Sequence, residues 1–169
     1  MTEAEIQVII GKDRVLAGHS IVCSNINHLF KGQQDVLSVT KSGLAIEYEI
    51  KISRADFKRD KAKNKEFTFD ANTIANADSF YLSKIVNQFY YVVPDGLIGI
   101  HELPEYAGLF YVTSRGSLIL EKKAPLIHKH KHDLLAIYKK ISTVYQERHF
   151  LGCCRLTYEN RTIKERNKR

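Results

Sequence analysis

Cysteine is scarce in this 169-residue chain, and the little there is follows no pattern. Cys23, Cys153 and Cys154 are an odd set without zinc-finger spacing, which argues against a disulfide framework and for a reducing compartment. No apolar run approaches the roughly 18 residues of a membrane-spanning helix, so no membrane association is expected. No internal repeat recurs, and no linker divides the chain. The opening Met1-Thr2-Glu3-Ala4-Glu5 is acidic and unlike a signal peptide, which points to the cytoplasm. Hydrophobic residues at 44% and charged residues at 27% are ordinary for a globular protein. The length supports one domain with a sizeable core. Residues 1–150 are expected to form it, with 151–169 as a basic, partly disordered tail.

Acidic residues are outnumbered, 19 to 26, giving a net charge of +7 and a sequence pI of about 9.3. That balance favours polyanionic partners, though only modestly by itself. Arg161, Lys164, Arg166, Lys168 and Arg169 in the tail would add nonspecific nucleic-acid affinity. His128, His130 and His132 alternate with lysines. Without companion cysteines they are expected to be a solvated basic segment rather than a zinc site.

What is present is concentrated in two stretches, Gln34–Val39 and Leu44–Lys51, joined by the tight turn Thr40-Lys41-Ser42-Gly43. Alternate residues of a strand share a face. Ile46, Tyr48 and Ile50 therefore point one way, and Glu47, Glu49 and Lys51 the other. Three charges on one face of a central strand are costly as packing and make sense as a site. Asp35 on the partner strand could meet Glu49 there.

The flanking segments read in order. Thr2 and Glu5 form a capping box for a helix over about Glu3–Leu16; Glu5 is a candidate additional acidic group, with helix capping the stronger reading. Ser20–Ile26 reads as a strand and Asn27–Gly32 as a loop, in which His28 could approach a phosphate. Ser53-Arg54-Ala55-Asp56 caps a helix from about Arg54 to Lys63, whose amide end would face the charged strand and suit a phosphate. Its Arg54, Lys58, Arg59 and Lys61 could hold a DNA backbone, and a plain solvated face would look the same. Glu66–Lys84 reads as a loop with some helix. Strands follow at Asn87–Val93, Leu109–Val112 and Leu118–Leu120. A final helix runs from about Asp133 to His149 with Leu134, Ile137/Tyr138, Ile141 and Val144/Tyr145 as its core stripe.

The charged set suits phosphodiester hydrolysis. Two carboxylates, Asp35 and Glu49, can hold Mg²⁺ (or Mn²⁺) with water and a phosphate oxygen, and the main-chain carbonyl of Ile50 is a further donor. The metal activates water, and a lysine two residues past Glu49 can orient that water or stabilise the pentavalent phosphate. Glu47 shares the face and is a candidate second acidic group, or a salt-bridge partner of Lys41 or of a helix residue. Ser53 and Asp56 fix the helix beside the site.

Asp35…Glu49-Ile50-Lys51 resembles the PD-(D/E)XK nuclease superfamily, with Gln34 where the motif has proline. Tyr48-Glu49-Ile50-Lys51-Ile52-Ser53-Arg54-Ala55-Asp56-Phe57 more narrowly resembles MmcB-like DNA repair proteins and related phage-type nucleases. Phe89–Pro94, Pro104–Leu109 and Lys122–Pro125 resemble them in the same order, over roughly residues 2–140. The resemblance implies an α/β, restriction-endonuclease-like core with a mixed central sheet flanked by helices. It also implies a Mg²⁺- or Mn²⁺-dependent nuclease acting on DNA in repair, recombination or phage DNA processing. Two alternatives stay open. One is a non-catalytic DNA-binding or protein-interaction module on the same fold. The other is a junction-resolvase-type endonuclease, which would call for a homodimer.

Overall fold

The computed structural model describes residues 1–27, 29–61 and 69–146. His28, the Glu66 end of the expected loop, the expected helix beyond residue 146 and the basic tail lie outside the described residues.

The centre of the fold is the strand that the charge alternation singled out. Six strands form one sheet in sequence order: β1 (Ile21–Asn27), β2 (Gln33–Val39), β3 (Ala45–Ile50), β4 (Gln88–Pro94), β5 (Ala107–Val112) and β6 (Leu118–Lys122). β1, β2 and β3 are an antiparallel meander, β3, β4 and β5 run parallel, and β6 returns antiparallel. The sheet is therefore mixed and flanked by helices, the α/β class expected. Every residue of β3 is buried, because a central strand in a partly parallel sheet is covered on both faces.

The hairpin before β3 closes by Thr40 N–H to the Leu44 carbonyl (2.9 Å) and Gly43 N–H to the Thr40 carbonyl (3.0 Å). Gly43 has φ of 84°, which suits a residue without a Cβ. A Cβ there would also meet the His132 carbonyl oxygen at 2.7 Å.

Two cores form on the two faces. Helix α1 (Glu3–Leu16) supplies Ile6 and Ile10, which pack with Val36, Ile46, Tyr48, Ile50, Tyr90 and Phe110. The capping box forms as expected: Thr2 N–H donates to Glu5 Oε2 (2.6 Å) and Glu5 N–H to Thr2 Oγ1. Helix α2 (Arg54–Lys61) covers the other face, where Phe57 packs with Phe89, Tyr91, Val93, Ile98 and Leu109. Between α2 and β4 lie two short helices, α3 (Ala71–Ala75) and α4 (Ser79–Leu82), each capped by an Asp side chain. Helix α5 (Leu134–Gln146) belongs mostly to a second unit, Leu135–Arg169. Only Ile137 of its expected core stripe is buried. Leu134, Ile141 and Val144 are half-buried, and Tyr138 and Tyr145 are exposed.

Candidate functional site

Register brings the charged groups together. Val36 stands opposite Tyr48, so Asp35, one step further, falls level with Glu49 and on its face. Asp35 Oδ2 accepts the Ile50 N–H at 2.8 Å. Lys51 Nζ donates to Glu49 Oε1 at 2.7 Å, with both side chains buried. These groups sit at the carboxyl end of β3, beside the carboxyl end of its parallel neighbour β4, the place where ligands collect in open α/β sheets.

The electrostatics are those of crowded carboxylates. Burial pushes the Asp35 carboxyl up to about 6, and the neighbouring Glu49 charge adds to this, against the opposing Ile50 N–H and Lys51 ammonium. Burial also works against the Lys51 ammonium. The charges of Glu49, Asp60 and Asp56 outweigh it and hold Lys51 protonated beyond its ordinary range.

Two residues that sequence reasoning did not single out join the site. Asp60 Oδ1 lies 3.7 Å from Lys51 Nζ, and Tyr91 donates its hydroxyl proton to Asp60 Oδ2 at 3.0 Å. The cause is chain geometry. Only Ile52 and Ser53 separate Lys51 from α2, so the helix folds back over the sheet and presents Phe57 and Asp60, three residues apart, to it. The available signal was this spacing: Asp60 falls on the same helical face as the apolar Phe57.

The first turn of α2 carries the expected Ser53 cap. Ser53 Oγ takes the Asp56 N–H at 3.2 Å, and Asp56 brings a carboxylate of its own, 3.5 Å from Arg59. From this helix the Asp60 carboxylate reaches Lys51, and the Asp56 charge adds to it. Arg54 is tied to the Leu97 carbonyl (2.8 Å) and to Glu102 (2.6 Å), while Lys58 and Arg59 remain exposed. The Lys61 side chain lies outside what is described. Glu47 is buried on the site's face. Glu5 is exposed and engaged in its cap; the α1 carboxylate whose charge Asp35 feels is Glu3.

No family model matches the chain, and no curated protein matches it. A solved structure is similar: a protein of unknown function from Silicibacter pomeroyi, with a TM-score of 0.55 and 14% identity, covering 90% of this chain and 94% of that one. At that identity the likeness shows the fold alone.

The donor set fits a hard divalent cation. Two facing carboxylates, one holding its proton above the usual range through burial and the charge of the other, would be relieved by a cation between them. Oxygen donors suit Mg²⁺ or Mn²⁺ rather than a soft metal. Among the described residues no group of three or more His, Cys, Asp or Glu is placed to hold a metal. Water, substrate oxygen and the Ile50 carbonyl would therefore have to complete the shell around Asp35 and Glu49.

The histidine segment differs from the solvated stretch expected. His128 and His132 are buried, and the three rings lie 5.3–6.3 Å apart, centroid to centroid. Asn87 organises them. Its side-chain amide donates to the His128 (3.0 Å) and His130 (2.8 Å) carbonyls, and its Oδ1 accepts the Ala45 N–H. His128 donates Nε2–H to the Ile85 carbonyl (3.0 Å), and its Nδ1 lies 3.2 Å from the Asn87 amide nitrogen. Alternation with lysine, which suggested solvation, instead puts the imidazoles inward and Lys129 and Lys131 outward. No helix among the described residues is long and apolar enough to cross a membrane.

Proposed function

We propose that this chain is a metal-dependent nuclease that hydrolyses DNA phosphodiester bonds, with Asp35, Glu49 and Lys51 as the reacting set. The observation that carries this reading is the facing pair Asp35 and Glu49 with Lys51 2.7 Å from Glu49, at the carboxyl end of the central strand. Bound there, Mg²⁺ or Mn²⁺ would supply an activated water and a polarised phosphoryl oxygen. Asp35 and Glu49 would hold the ion. The buried Lys51 ammonium would stabilise the charge that grows on the phosphate oxygens, where a low dielectric makes a fixed charge effective. The basic balance of the chain and the exposed Lys58 and Arg59 suit the DNA backbone. Repair, recombination and phage DNA processing are the settings that this chemistry and the sequence resemblance suggest.

The test is incubation of the purified protein with linear, circular, single-stranded and branched DNA, and with RNA, in Mg²⁺ or Mn²⁺ and in EDTA. Metal-dependent DNA cleavage supports the reading, and intact DNA under every metal condition removes it. Preference for branched DNA together with a dimeric mass would select the resolvase alternative.

A second reading draws on the closed Glu49–Lys51 ion pair, which is also how a retired site would look: a DNA-binding module without turnover. Calorimetric titration with Mn²⁺ separates the two, since DNA binding without metal binding favours the module.

A further inference from the structure

Resting on the nuclease reading, we propose that Asp60, fixed by Tyr91, is a positioning residue that holds the Lys51 side chain in the site. Among the described residues, two carboxylates lie within 4 Å of the Lys51 ammonium. Glu49 is nearer, at 2.7 Å, and Asp60 stands at 3.7 Å. The two differ in what else is asked of them. Lys51 is held through Glu49 Oε1; a divalent ion taken by the same carboxylate would draw on the charge that holds the ammonium and so weaken that hold. Asp60 lies on α2, outside the Asp35–Glu49 strand pair that would hold the ion.

Asp60 is also set rigidly. It is 3% exposed; the Tyr91 hydroxyl is 3.0 Å from Oδ2, and Oδ1 is 3.7 Å from the Lys51 ammonium. Tyr91 is itself locked by edge-to-face packing against Phe57 and Phe89, at 5.1 Å in each case. The order of support thus runs from the aromatic core to Tyr91, to Asp60, to the lysine, each step by a contact within one face of the sheet. A flexible four-carbon side chain has many rotamers, and a second buried carboxylate reduces them to those that keep the ammonium beside Glu49.

The experiment compares wild type with Asp60→Asn and, should that variant fold poorly, with Tyr91→Phe, which keeps the ring and removes the hydroxyl. The first readout is independent of activity: labelling of Lys51 by an amine-reactive reagent, followed by peptide mass spectrometry, with and without Mn²⁺. Lys51 is expected to stay protected in wild type under both conditions and to become labelled in the variants when Mn²⁺ is added. The second readout is kinetic. Loss of a supporting residue of this kind lowers turnover by about 10- to 100-fold, and here kcat should fall with KM for DNA and Mn²⁺ affinity unchanged. In a Lys51→Ala background, Asp60→Asn should change the residual rate by less than about twofold, because coupled residues are not additive. Equal protection of Lys51 in wild type and variants, or full additivity with Lys51→Ala, would overturn the proposal. A wild-type protein that cuts no DNA under any metal condition would overturn the nuclease reading, and with it the catalytic use of Asp60. The labelling result would then stand alone as a measure of the Asp60–Lys51 contact.

Discussion

Replacing Asp35 by Asn should stabilise the protein at neutral pH while abolishing metal binding. In the fold the Asp35 carboxyl is raised from its ordinary 3.8 to about 6, so the folded chain binds that proton more tightly than the unfolded chain does. The corresponding stabilisation is fully present below pH 3.8 and is lost as pH rises through about 6. At full ionisation the shift is worth about 3 kcal/mol. Asp35 is only half-buried, and screening by solvent reduces this to about 2 kcal/mol. An uncharged amide of the same shape keeps an acceptor for the Ile50 N–H and removes the repulsion with Glu49. For a chain of this length the gain amounts to about 4–8 °C in Tm. The assay is thermal unfolding of wild type and Asp35→Asn from pH 3.5 to 8, read as a difference between the two. The difference should be near zero at the acid end, open between pH 4 and 6, and stay constant above. Taking the difference matters because buried histidines move wild-type stability the other way over the same range. Saturating Mn²⁺ should then stabilise wild type by about 2.7 kcal/mol at 100 times Kd, seen as a higher Tm, and leave the variant where it was. If Asp35→Asn is no more stable than wild type at pH 8, the two carboxylates are not an uncompensated pair and the reasoning from burial and like charge is refuted.

Other consequences follow from the same structure. Mn²⁺ or Mg²⁺ must displace the Asp35 proton at acid pH, so metal affinity should fall as pH drops below about 6, measurable by titration calorimetry at pH 5 and 8. Burial, with His128 and His130 adding to it, pushes His132 down to about 4; its stabilising contribution is present above its ordinary 6.5 and is lost as pH falls toward 4. His132→Leu, which also removes the unpartnered buried Nε2, should flatten that acid limb in an unfolding series. Gly43→Ala should lower stability by about 2 kcal/mol or more, seen as a lower urea midpoint, because the left-handed φ and the His132 carbonyl both oppose a Cβ.

The sheet and half of the site were legible from local pattern. Period-2 alternation in 44–51 separated Tyr48 from Glu47 and Glu49 correctly, since a buried strand tolerates charge only where it has partners. Thr40–Gly43 and the Thr2–Glu5 cap carry their own turn and cap chemistry. Asp60 and Tyr91 were not legible, because their meeting depends on α2 folding back across the sheet, thirty-one residues apart in sequence. The histidines were misjudged for a related reason. Their burial is imposed by Asn87, some forty residues earlier, and lysines at alternate positions mask an inward face. The exposed Tyr138 and Tyr145 show the limit of helical periodicity, which marks an apolar stripe without saying how wide its buried part is.

The central claim is tested most directly by one cleavage measurement: plasmid and linear DNA incubated with Mn²⁺ or Mg²⁺, comparing wild type, wild type with EDTA, and Lys51→Ala of verified fold. The account predicts cleavage by wild type with metal, none in EDTA, and a loss of about 100-fold or more for Lys51→Ala, the scale expected when a charge-stabilising group is removed. Cleavage by Lys51→Ala at the wild-type rate would contradict it.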